Sequence, residues 1–266
     1  MKLAVCGCSW SSECEKNPST GFGTYLSNLL GAEYKNFARP SASNFIIRLQ
    51  VEQAIKEKFD LVVVVWTNVE RVEWHMVNSR KYYPHKGLQD VSYRDYNDSN
   101  NNPAKGSSGS EVITAESLNS MGLDKSFDQL KQSWGANTVK KKITEQQWST
   151  WKQFYTHNYD YDIEAHKQYF YVESAVHSLQ KSNIQFIMVP GYPDIIDHMP
   201  VQPTDNYEDK WSIIPEQNLV REKPVDIYSK RMIENPHYHS QYVYHLEPSD
   251  QKDYASILYT KIKQIL

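Results

Sequence analysis

Apolar positions along the chain come in two patterns, short unbroken runs and longer stretches with helical spacing. Lys2–Cys6 is a compact run and reads as a short buried strand. Thr24–Leu30 has the composition of a helix body and stops at Gly31, a residue suited to a left-handed C′ position. Glu33–Ala38 reads as a second strand. Ser43 is placed to cap a helix through Lys58, with Phe45, Ile46, Leu49, Ala54 and Ile55 largely on one face. Beyond Asp60, Leu61–Trp66 is apolar throughout and mostly β-branched, the pattern of a central parallel strand covered on both faces. Ala165, Tyr169, Val172, Val176 and Leu179 then recur at helical spacing, and Ile184–Val189 is another buried strand. Pro248-Ser249-Asp250 opens a last amphipathic helix to about Leu266. Strands and helices in this order predict a three-layer α/β/α sandwich around a parallel sheet.

Residues 76–150 break the alternation. Tyr96–Glu111 is rich in Asn, Ser and Gly and almost without apolar residues, so it reads as a mobile loop. Thr144-Glu145-Gln146-Gln147 has the form of a capping box, and Trp148, Trp151 and Tyr155 follow at helical spacing. The expected organisation is an α/β domain made of 1–75 and 151–266, with 76–150 as a long insertion after the third strand. No internal repeat is visible.

Composition narrows the function classes. The 266 residues are 39% hydrophobic and 23% charged, enough for a real core. A net charge of −3 gives no global basic field for nucleic acid or an anionic membrane. Only the three-residue apolar run Leu3-Ala4-Val5 leads into Cys6, too short for a secretory h-region, and the run Leu61–Trp66 is far shorter than a membrane span. The expectation is therefore a protein without a signal peptide, cytoplasmic or virion-associated. Three cysteines, Cys6, Cys8 and Cys14, cannot close a disulfide framework, and their spacing lacks an evident fourth metal ligand. They read as structural thiols, and no cofactor is implied.

The chemistry gathers at strand ends, where open parallel sheets place their sites. Strand one ends at Gly7-Cys8-Ser9, and the turn after strand two reads Ala38-Arg39-Pro40-Ser41-Ala42-Ser43-Asn44. Strand three ends at Trp66-Thr67-Asn68, and His245-Leu246-Glu247-Pro248-Ser249 precedes the last helix. In order and placement Gly7-Cys8-Ser9, Asn36–Asn44, Trp66-Thr67-Asn68 and His245 to Ala255 resemble the four motif blocks of the SGNH (GDSL-like) hydrolase superfamily over the α/β part of the chain. More narrowly, the chain resembles SGNH-like proteins of tailed phages. The resemblance implies a flavodoxin-like fold and a serine esterase acting on an acyl or O-acetyl ester, on a carbohydrate among other carriers.

In that scheme Ser9 is the nucleophile and His245 the base that takes its proton. The Ser9 backbone N–H, the backbone N–H near Ser41 and the Asn68 amide face the oxyanion. Trp10, Trp66, Arg71, Trp148 and Trp151 are the candidate substrate-facing residues. Three departures stand out: Cys8 replaces the Asp of G-D-S, Ser41 the second-block glycine, and Tyr242 the Asp of D-x-x-H. The last removes the carboxylate that orients the base, leaving a Ser–His dyad or a substitute such as Asp194, Asp197 or Asp226.

Each reading has a plainer rival. A serine after a strand is commonly a turn residue, and Asn68 alone could cap a helix. His237 and His239 are spaced as exposed loop histidines as readily as a metal pair. Half or more of the aromatic set Trp134, Trp148, Trp151, Tyr155, Tyr159 and Tyr161 fits a packing role. Gly21-Phe22-Gly23-Thr24 lacks the ending of a phosphate loop. The competing whole-protein reading is a catalytically silent SGNH-like module, for binding or virion structure. Oligomeric state is left open.

Overall fold

β-branched runs that are apolar at every position must be covered on both faces, and this requirement organises the domain. The computed structural model describes residues 1–12, 19–38, 42–67, 71–75, 110–114, 126, 128–129, 145–190, 213–235 and 246–266. In chain order the main elements are β1 (Lys2–Cys6), α1 (Phe22–Leu30), β2 (Glu33–Asn36), α2 (Asn44–Lys56) and β3 (Leu61–Val65). Then come β4 (Arg71–His75), β5 (Ser110–Thr114), α3 (Glu145–Gln153), α4 (Tyr161–Lys181), β6 (Gln185–Val189), α5 (Pro224–Glu234) and α6 (Pro248–Ile262).

β2, β1, β3 and β6 form a four-stranded parallel sheet in that spatial order. The order matches the flavodoxin-like doubly wound arrangement. Ala4 pairs with Lys35 on one side and Val62 on the other, and Val63 pairs with Ile187. The chain steps from β1 out to β2 and then back across β1 to β3, so its direction across the sheet reverses at β2. Right-handed crossovers therefore put α1 on one face and α2 on the other. α1 packs against α6, and α2 against α4, which completes three layers. Every residue of β3 is fully buried, as are Leu3, Ala4, Val5 and Cys6 of β1. Beyond β6, Val220 N–H donates to the Met188 carbonyl at 3.0 Å, so residues 219–220 begin to extend the sheet.

Local signals in the sequence explain most boundaries. Gly31 takes the left-handed conformation, φ 60°, that ends α1. Ser43 caps α2 by accepting from Ile46 N–H at 3.3 Å. α2 ends at Lys56, before the expected Lys58, and Lys58 itself adopts φ 56° without being glycine. Two backbone bonds enforce that reversal, Lys58 N–H to Ile55 C=O and Phe59 N–H to Ala54 C=O. The Gly21–Thr24 stretch caps and opens α1. A Cβ on Gly23 would approach the Tyr34 hydroxyl and ring, so that glycine serves helix–strand packing.

β5, within the region expected as an insertion, pairs antiparallel with β4, which closes the stretch just before it, from Arg71 opposite Thr114 to His75 opposite Ser110. Ser110 and Glu111, expected in the mobile loop, belong instead to β5, whose backbone bonds β4 supplies. The rest of that loop lies outside the described residues. α3 starts at Glu145, where the capping box predicted a helix, and runs into one π-helical turn at Phe154–Asn158 before α4. Among the described residues no helix is long and apolar enough to cross a membrane.

Candidate functional site

Ser9 sits just past the carboxyl end of β1, in a tight turn. Cys8 C=O accepts from both Ser11 N–H, at 3.0 Å, and Ser12 N–H, at 3.1 Å. The Ser12 hydroxyl closes the turn by donating to Ser9 C=O at 3.0 Å. Ser9 is half-buried, and among the described residues no hydrogen bond engages its hydroxyl. Gly7 is required here for close approach. A Cβ at Gly7 would lie 2.6 Å from Ser11 Oγ and 3.0 Å from the Val65 carbonyl oxygen.

The neighbouring strand ends are held by side-chain amides. Asn36, last in β2, donates to Ser11 C=O at 2.8 Å while accepting from Ala38 N–H at 2.8 Å. Gln50 of α2 accepts from Gly7 N–H at 2.7 Å and donates to Gly7 C=O at 3.2 Å. Asn44, first in α2, accepts from Thr67 N–H at 2.8 Å and donates to Thr67 C=O at 3.0 Å. The ends of β1, β2 and β3 thus meet at one edge of the sheet, with Ser9 on the turn that leaves its centre. Ser11 Oγ, Trp66 Nε1 and Thr67 Oγ1 are buried there without hydrogen-bond partners among the described residues.

Not every anticipated residue can be placed. Ser41, Asn68 and His245 lie outside the described residues, as do Asp194, Asp197, His237, His239 and Tyr242. Arg71 falls in β4 and Trp151 in α3, but their side chains are outside the description. Trp10 is 5% exposed and meets Tyr228 edge-on, with ring centroids 5.8 Å apart. Trp66 is fully buried, and Trp148 is 2% exposed. Rings so enclosed pack the interior. Asp226 accepts from Lys223 N–H at 3.3 Å, which gives it the role of capping α5. Cys6 and Cys8 are buried free thiols, and burial pushes the Cys6 thiol well above its usual range. Among the described residues no cluster of His, Cys, Asp or Glu could hold a metal ion.

No family model matches the chain, and neither does any curated protein. A structural likeness exists. It is to a chain from Desulfitobacterium hafniense DCB-2 described as a "putative lipolytic protein of G-D-S-L family". Identity is 8% and the TM-score 0.32, with 98% of each chain covered. Agreement at that level decides neither fold nor chemistry, so both rest on the residues themselves.

What sequence reasoning missed are the amides. Asn44 was visible only as part of a polar turn, and Gln50 as one polar position in an amphipathic helix. A carboxamide directed at an irregular strand end leaves no periodic signature. The available hint was polar residues falling where α2 must face the sheet.

Proposed function

We propose that the protein is a serine hydrolase of SGNH type that cleaves an acyl or O-acetyl ester, with Ser9 as nucleophile. The observation that supports this reading is the placement of Ser9 on a glycine-dependent turn at the carboxyl end of the central β1, beside the end of β3. In doubly wound sheets that edge is where ligands bind. Ester attack requires a base for the Ser9 proton and donors for the developing oxyanion. His245 is proposed as the base. The Ser9 and Ser41 backbone amides and the Asn68 side chain are proposed as donors. With Tyr242 in the position of the orienting Asp, the reaction runs on a dyad and is slow beside complete triads.

The test is labelling with a fluorophosphonate probe. Wild type is expected to take the probe at Ser9 and to hydrolyse small aryl acetates. Ser9→Ala should lose both while its thermal unfolding stays unchanged, and His245→Ala should be as damaging. Equal turnover by Ser9→Ala would sink the assignment. A folded wild type that neither labels nor hydrolyses would favour the silent binding module, the reading that Tyr242 supports.

A further inference from the structure

Asn44 is fully buried and Gln50 is 7% exposed, in a helix that otherwise lays Ile46, Ile47, Val51 and Ala54 on the sheet. Each carboxamide forms a closed pair of hydrogen bonds with one backbone residue, Asn44 with Thr67 and Gln50 with Gly7. A carboxamide offers an acceptor and a donor side by side, as a peptide group does. Each pair therefore supplies the bonds of a strand ladder where the ladder has stopped. A helix cap would satisfy α2's own backbone. These two satisfy the backbone of other elements, and both choose residues leaving a strand at the candidate site. Gly7 stands two residues before Ser9, and Thr67 immediately precedes Asn68.

We infer that Asn44 and Gln50 are positioning residues of the Ser9 site, by which one rigid helix fixes the spacing between the turn bearing Ser9 and the chain leaving β3. The two anchor points are six residues apart, about 9 Å along the helix axis. The strands they hold are hydrogen-bonded neighbours, about 4.8 Å apart. Freeing either end lets the nucleophile and the oxyanion donors drift relative to each other, and a 1 Å misplacement can cost about 10²-fold in rate. The kinetic part of this inference rests on the esterase reading, whereas the clamps themselves do not.

The experiment pairs kinetics with amide hydrogen exchange on the full chain. In Asn44→Ala, kcat on an aryl acetate should fall about 10–100-fold with KM nearly unchanged, the mark of support given in the transition state. Exchange at Thr67 N–H should quicken about tenfold, as loss of one hydrogen bond implies, while Val62 to Val64 exchange as before. In the Asn68→Ala background, Asn44→Ala should add little further loss, because the two act through one group. Gln50→Ala should reproduce the pattern at Gly7 and slow probe capture by Ser9. If Asn44→Ala does not fold, Asn44→Ser, able to keep one of the two bonds, should show a smaller kcat loss of the same kind. Unchanged kcat in a folded variant, a loss confined to KM, or fully additive losses with Asn68→Ala would overturn the positioning role. Unchanged Thr67 exchange would overturn the clamp. A wild type inert to probe and ester would defeat the esterase reading, and exchange alone would then judge the clamps.

Discussion

Gly7 shows how much one residue can be asked to do beside a candidate nucleophile. Its missing side chain lets Ser11 fold back over the turn, and its backbone takes both bonds from Gln50. Gly7→Ala would bring a methyl within 3.0 Å of the Val65 carbonyl oxygen, which is backbone and cannot rotate away. Overpacking of this kind costs about 1–3 kcal/mol, so urea unfolding should shift by that amount and Ser9 labelling should fail with it. Tyr254 gives a residue-scale prediction of another kind. It is fully buried, packs edge-on against Phe22, and donates to Glu222 C=O at 3.2 Å. Burial, with Glu222 and Asp226 adding to it, holds the phenol's pKa well above its usual range near 10. The neutral form is the one the fold accepts, so this contribution is intact below pH about 10 and is lost as the pH rises beyond it. Stability should therefore drop steeply in alkali, and Tyr254→Phe should flatten that drop. At neutral pH the same variant costs about 1 kcal/mol for the lost hydrogen bond. Ser9, Gly31 and Ser43 were legible in the sequence because each stands at a pattern boundary. Asn44, Gln50 and the enclosed Trp10, Trp66 and Trp148 were not, since burial of a polar or aromatic side chain depends on what the rest of the chain brings to it.

Among the elements, α1 depends on the far end of the chain. Its N-cap position is Gly21, which has no side chain to accept a bond, and Phe22 N–H is taken instead by Gln251 Oε1 of α6 at 3.0 Å. Gln251→Ala should behave as removal of an N-cap and destabilise by about 1 kcal/mol in urea unfolding, although it changes a different helix. Such a cap, 229 residues away, could not be read from local sequence. The β4–β5 ribbon escaped notice for a related reason. Arg71–His75 and Ser110–Thr114 are short, mixed in polarity and far apart, so neither announces a strand until it finds the other. β3 is the opposite case. Five consecutive apolar residues can be satisfied only between two covering layers, and the structure buries them all.

At the scale of the molecule, the three-layer α/β/α arrangement follows from alternation of strand and helix plus the handedness of crossovers, both accessible from the sequence, whereas the order β2-β1-β3-β6 is one of several those rules allow. What the sequence could not disclose is which helices close the layers, because pairing between remote segments carries no local mark. The layer over α1 is closed by α6, whose Tyr254, Ala255, Leu258 and Ile262 are fully buried. A chain being synthesised would thus complete β1, β2 and β3 by residue 65, yet leave Phe22 without Tyr254 and Gln251 until residues 248–262 emerge. The apolar face waiting on α1 is a hazard of the nascent chain and a natural target for a holding chaperone. A chain ended after Leu246 should accordingly bind a hydrophobic dye and aggregate, whereas adding α6 as a separate peptide should suppress both. Dye binding no greater than that of the full chain would show that α1 is covered without it. Until α6 arrives, α1 has neither its packing partner nor the side chain that caps it, so α6 acts as its latch.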